Sequence, residues 1–198
     1  SHFELSNCLF EVKMSSYLDG DDSDSDAERD RDLAGEKLEL SEDQQMEISA
    51  MATALKAEGN GHFGKGEYEE ALAKYTAAVS TLKESGMPKD ALILLNRSAT
   101  YLALKRYVPA LNDANQAIVI DPTNWKGHWR KGVALMSMSK RSFRTKQAIE
   151  AFESCYACDT LPENKKAEVQ AELRKANARK EQQDAETPPA DLSNCAPS

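Results

Sequence analysis

From about Ser41 to residue 180, apolar residues recur three and four positions apart, the spacing of helices with one buried face. No sustained period-two alternation marks a strand. Ser41 followed by Gln44 has the spacing of a capping box and predicts that a short helix starts there. The last periodic stretch, 162–181, carries a weak apolar stripe of Ala167, Val169, Ala171, Leu173 and Ala176 among Glu, Lys and Arg. It predicts a final helix with a largely solvated face. Outside these limits the pattern fades. Residues 19–32, Asp-Gly-Asp-Asp-Ser-Asp-Ser-Asp-Ala-Glu-Arg-Asp-Arg-Asp, have no apolar face to offset the entropy of ordering them. Residues beyond 182, with Thr187-Pro188-Pro189, read as a loose tail. The expectation is an all-α domain over 41–181 between an acidic disordered arm, 1–40, and a disordered tail, 182–198.

Composition sharpens this division. A chain of 198 residues allows one ordinary domain plus tails, not a two-domain enzyme of usual size. The formal net charge is −8 from 33 acids and 25 bases. It is unevenly spread: residues 1–51 hold 15 acids and 4 bases, residues 52–158 hold 10 acids and 15 bases, and residues 159–198 hold 8 acids and 6 bases. The regional charges are therefore −11, +5 and −2. An overall acidic chain argues against nucleic-acid binding. No membrane span is expected, because the longest aliphatic run, Ala91–Leu95, is far short of the ~20 residues a bilayer needs. Glu4 and Glu11 interrupt any apolar core of a secretory leader. The chain opens with Ser1, and Met14 reads as a natural start, so residues 1–13 are given no functional weight. The four cysteines, Cys8, Cys155, Cys158 and Cys195, are then expected as free thiols in a cytoplasmic setting, the nucleus included.

The helical stretch repeats itself. Gly59, Ala71, Tyr75 and Ala78 are separated by 12, 4 and 3 residues, and Ser98, Ala110, Ala114 and Ala117 by the same intervals. A third copy starts at Trp125 and places Gly132, Ala148, Phe152 and Cys155 in matching order after four extra residues. Pro122 falls where the second copy closes, and Gly66 marks a turn within the first. These residues resemble the tetratricopeptide repeat, a helix-turn-helix unit of 34 residues. The resemblance implies repeats over about 52–85, 91–124 and 125–162, stacked as a solenoid and closed by a capping helix over about 162–181. Small residues at 59, 98 and 132 would let paired helices approach, while Tyr75 and Phe152 would fill the layer between successive repeats.

Some polar positions are left over by packing. Lys56 and Asn60 stand four apart, as do Lys126 and Arg130, so each pair shares a helix face. Asn96 follows the apolar run Leu92-Ile93-Leu94-Leu95, where an amide is costly without a partner. Residue by residue, the five are similar to the carboxylate clamp of chaperone-binding tetratricopeptide domains. The resemblance implies binding of the C-terminal Glu-Glu-Val-Asp of cytosolic heat-shock chaperones of the seventy- and ninety-kilodalton classes. Lys56, Asn60, Asn96 and Lys126 would hold the two carboxylates of the final Asp, and Arg130 would reach a backbone carbonyl or a Glu further back. Phe63, Ala99 and Leu102 are the expected apolar contacts for the Val, with Trp129 meeting residues upstream. Lysine charge and neutral amide donors suit such a ligand.

Other signals are weaker. Cys155-Tyr-Ala-Cys158 is a lone CxxC within a helix, better suited to packing than to redox or zinc chemistry. His2, His62 and His128 do not group with acids at ligand or triad spacings, so no metal, cofactor or catalytic residue is expected. Ser139–Lys146 carries four bases around Phe143 and reads as a solvated loop lengthening a turn. Ser23 and Ser25 each precede an acid by three residues, the spacing of acidophilic-kinase acceptors. Phosphorylated there, the arm would compete better with acidic peptides for a basic groove. The expected protein is a monomeric, non-enzymatic co-chaperone or adaptor. The alternatives are a repeat scaffold for another partner, or the docking fragment of a larger enzyme.

Overall fold

The structure is a computed structural model that describes residues 40–138 and 142–186. The acidic arm with Ser23 and Ser25, residues 139–141 and the tail from 187 lie outside the described residues. Among the described residues there are seven helices and no strand: α1 Glu42–Lys65, α2 Tyr68–Glu84, α3 Ala91–Ala103, α4 Tyr107–Ile120, α5 Trp125–Met138, α6 Ser142–Ala157 and α7 Glu163–Glu186. Consecutive helices pack as antiparallel neighbours, and each first helix also touches the first helix of the next pair, α1 on α3 and α3 on α5. Three helix pairs therefore stack side by side, and α7 lies against α6 at the end. None of the described helices is long and apolar enough to cross a membrane.

Local sequence explains where the helices begin and end. Ser41 caps α1 reciprocally: the Gln44 amide donates to Ser41 Oγ at 3.2 Å, and the Ser41 amide to Gln44 Oε1 at 2.9 Å. The helix that starts there is not short, however. It runs unbroken for 24 residues into the first repeat. Only Ile48 of its first two turns packs on the core, so continuity comes from backbone bonding with little burial to announce it. Gly66 ends α1 in the left-handed region, φ 82°, with its N–H donating to Phe63 and the Glu67 N–H to His62, both at 3.0 Å. Lys105 makes the same turn after α3 at φ 57°, with Lys105 N–H donating to Leu102 and Arg106 N–H to Tyr101. A lysine there is costlier than glycine by roughly 1 kcal/mol.

The core follows the small-large pattern of the repeats. A Cβ placed on Gly59 would sit 2.7 Å from the Tyr75 ring, and one on Gly132 would sit 2.5 Å from the Phe152 ring. Both rings are fully buried, each worth roughly 1.5–3 kcal/mol of burial. In the middle pair Ser98 does the equivalent work by donating to the Ala110 carbonyl at 2.8 Å. That pair also carries a buried ion pair, Arg97 to Asp113, with both contacts at 2.7 Å. Asp113 is 3 % exposed, so the bidentate partner is what makes its charge tolerable.

Two expectations need correction at the C-terminal end. The last helix extends to Glu186, five residues further than its stripe suggested, and Ala167 and Ala171 face solvent. The buried line is Val169 and Ala176, with Leu173 packed beside them. The basic segment before α6 is also not all loop. Ser142–Lys146 form the first turn of α6, where buried Thr145 donates to Gln183 on α7 at 2.7 Å.

Candidate functional site

The first helices of the three pairs, α1, α3 and α5, form one wall, and each contributes clamp candidates. On α1, half-buried Lys56 lies 3.1 Å from the Asp90 carboxylate, which begins α3. One turn on, Asn60 Oδ1 accepts two hydrogen bonds, from Tyr75 Oη at 2.7 Å and from Asn96 Nδ2 at 2.9 Å. The partner that Asn96 needs at the end of its apolar run is therefore Asn60, on the neighbouring first helix. Both lone pairs of that carbonyl are used, so the Asn60 N–H groups point the other way.

On α5, Lys126 is exposed, and its side chain makes no hydrogen bond or ion pair with another described residue. Arg130, one turn along the same face, differs from a solvated cation. As a whole it is half-buried, but its Nη1 is fully covered and has no hydrogen-bond partner. Burial pulls its pKa down to about 10, and the neighbouring Tyr75 opposes this. Tyr75 is pushed up by its own burial, with Arg130 acting in the other direction. An uncompensated buried guanidinium is expensive and is best met by an anion or a carbonyl oxygen. The wall thus carries an amide pair between Lys56 and Arg130, with Tyr75 hydrogen-bonded to Asn60 and electrostatically coupled to Arg130.

The apolar candidates are distributed along the same wall. Phe63 is half-buried at the end of α1, with its ring edge-on to Tyr68 at 5.3 Å. Ala99 lies between Asn96 and Leu102 on the surface of α3, and both Ala99 and Leu102 are half-buried. Trp129 packs on Phe152 with ring centroids 5.5 Å apart. Its outer side lines an open cleft of about 640 Å³ between α5 and α7, with Val133 and Met136 on one side and Lys175 and Arg179 on the other. The signals missed by sequence reasoning are Tyr75, whose hydroxyl is hidden behind its packing role, and Asp90, which lies 34 residues from the lysine it meets. The CxxC serves packing: Cys155 is completely buried and Cys158 donates to the Ser154 carbonyl.

No family model matches the chain. Small glutamine-rich tetratricopeptide repeat-containing protein 2 of Saccharomyces cerevisiae is 35% identical over 111 residues, 56% of this chain and 30% of that protein. DnaJ homolog subfamily C member 7 of Homo sapiens is 33% identical over 146 residues, 74% of this chain and 26% of that protein. The chain thus spans less than a third of the curated relatives it matches here. Among solved structures, the first TPR of Spaghetti (RPAP3) bound to the HSP90 peptide SRMEEVD is 26% identical with a TM-score of 0.56, covering 66% of this chain and 94% of that one. The second TPR domain of human RPAP3 in complex with the HSP70 peptide SGPTIEEVD is 27% identical with a TM-score of 0.55, covering 66% and 98%. The Sgt2 TPR domain from Aspergillus fumigatus is 29% identical with a TM-score of 0.56, covering 74% and 91%. The stacked helix pairs of this chain are a tetratricopeptide-repeat domain, similar to the domains of RPAP3 and Sgt2.

Proposed function

We propose that this domain is a non-enzymatic co-chaperone module that binds the C-terminal Glu-Glu-Val-Asp of a heat-shock chaperone. The observation that carries the reading is the wall of donors on α1, α3 and α5, which includes an Arg130 Nη1 that is buried and unpartnered. Lys56, Asn60, Asn96 and Lys126 are assigned to the two terminal carboxylates, and Arg130 to an oxygen further back along the peptide. Phe63, Ala99 and Leu102 are assigned to the Val, and Trp129 with its cleft to residues upstream. Support comes from similar domains solved with HSP90 and HSP70 peptides that end in this sequence. The working compartment is taken to be the cytoplasm, where such chaperones end in a free acidic tail. The whole protein's partners and pathway are proposals of the same kind, given how little of each relative the chain spans.

The test is dependence on a free chain end. A peptide ending in Glu-Glu-Val-Asp is titrated against the protein, then the same peptide as its C-terminal amide. Binding at roughly micromolar Kd is expected for the acid, at least tenfold weaker for the amide, and weaker as salt rises. Lys126→Ala and Asn60→Ala should each lower affinity several-fold. Equal binding of acid and amide, or full affinity in both variants, sinks the reading in favour of a scaffold for another partner.

A further inference from the structure

Tyr75 stands at a position where the fold asks only for a ring. Its counterpart in the third pair is Phe152, which packs on Gly132 as Tyr75 packs on Gly59, and which is equally buried. Packing therefore does not account for the Tyr75 hydroxyl, and a buried hydroxyl is costly unless it is used. It is used twice over: it donates to Asn60 Oδ1 at 2.7 Å, and it lies close enough to Arg130 for each to affect the other's ionisation. The Asn60 amide on its own has two orientations of similar energy that differ by exchange of its oxygen and nitrogen. The Tyr75 hydroxyl and the Asn96 amide both donate to Oδ1, and the nearby Arg130 charge favours a hydroxyl that turns its lone pairs to the guanidinium and its hydrogen to Asn60, the orientation with Oδ1 inward.

We infer that Tyr75 is a positioning residue of the peptide site, its hydroxyl holding the Asn60 amide with its N–H groups turned to the carboxylate of the bound chain end. Asn96 shares this task from the next pair, but its own side chain is half exposed and belongs to the binding surface. Tyr75 is 1 % exposed and so offers almost no surface to a ligand. Its hydroxyl acts through Asn60, and its ring acts in the core. The inference rests on the carboxylate reading of the site proposed above.

Tyr75→Phe separates the two duties, because Phe152 shows that the fold accepts phenylalanine at the equivalent place. Titrations with a Glu-Glu-Val-Asp peptide and its amide are run on the wild type, Tyr75→Phe, Asn60→Ala and the double variant. The expected result is an unchanged helical signal and melting curve, with affinity for the free acid about three- to tenfold lower in Tyr75→Phe. Affinity for the amide should hardly move. In the Asn60→Ala background Tyr75→Phe should have almost no further effect, since the group it positions is gone. Two outcomes overturn the inference: an affinity loss of the same size with or without Asn60, or a Tyr75→Phe chain that loses its fold. Failure of the wild type to prefer acid over amide is a different result and removes the functional reading itself.

Discussion

The Lys56 ammonium shares the carboxylate of Asp90, at 3.1 Å, with the backbone of α3, whose Leu92 amide donates to the same side chain at 2.7 Å. A residue assigned to the ligand is thus already neutralised by the cap of a neighbouring helix. A peptide carboxylate that engages Lys56 must share it with Asp90 or displace it. Asp90→Asn keeps the cap, as asparagine is as good an N-cap as aspartate, and releases the lysine. Peptide affinity at low salt should rise about two- to fivefold, the size of a partly exposed ion pair, and the gain should shrink in high salt. An unchanged or lower affinity in the titration shows that Asp90 does not compete.

Arg130 should behave as a residue kept for binding at the expense of stability. Its Nη1 is covered and unpartnered in the free domain. Arg130→Met keeps the length of the stem and removes the uncompensated charge. The free variant should be more stable by about 1 kcal/mol, which raises Tm by about 2–4 °C. The same variant should bind the free-acid peptide at least tenfold more weakly. A lower Tm in thermal denaturation would mean that the guanidinium already supports the fold.

Two glycines of α1 should respond in opposite senses to the same change. Gly59→Ala places its methyl carbon 2.7 Å from a buried ring, an overpacking that costs roughly 1–3 kcal/mol. Gly61 has nothing within 4 Å of a new Cβ and lies on the exposed side. Gly61→Ala should therefore gain roughly 0.5–1 kcal/mol from helix propensity alone. Urea denaturation of both variants checks the pair, and a stabilised Gly59→Ala would contradict the close approach of α1 and α2.

Burial pushes the Cys155 thiol up to about 12, and Cys158 is raised as well, by its own burial and by Asp159 and Asp121. Neither is a ready thiolate at neutral pH. With iodoacetamide at pH 8, Cys155 should be modified only as fast as the domain opens, and Cys158 slowly in the folded state. Site-resolved mass spectrometry reads both rates. Native-state labelling of Cys155 at the rate of an exposed thiol would show that the third pair is open.

Most of the fold is written in local chemistry. Ser41 and Gln44 state a helix start outright, and Gly59 and Gly132 mark close approaches because only a missing Cβ fits against Tyr75 and Phe152. Pattern failed where burial, not spacing, decides. The first turns of α1 have no apolar stripe, so their continuity with the repeat was invisible. Ala167 and Ala171 matched the stripe of α7 yet remain exposed, because alanine satisfies either environment. Lys105 adopts a left-handed turn that its side chain does not advertise, closed by the same two backbone bonds as the Gly66 turn. The site divides in the same way. The five polar candidates could be named from spacing and family resemblance. The Tyr75 hydroxyl, the Asp90 counter-charge and the covered Nη1 of Arg130 come from depth and from contacts between residues far apart in sequence.

The donors of the wall are drawn from α1, α3 and α5, one helix of each pair. In a stack of this kind each pair touches only its neighbours, so an end pair can fray without the rest. A bound peptide would change that mechanical connectivity. A single extended ligand fastened to all three helices links the first pair directly to the third, beyond the electrostatic coupling of Tyr75 and Arg130. Opening either end would then require release of the ligand, and a stack that melts piecemeal would melt as one body. Amide hydrogen exchange in α1 and α5 should converge on a common rate when the groove is filled.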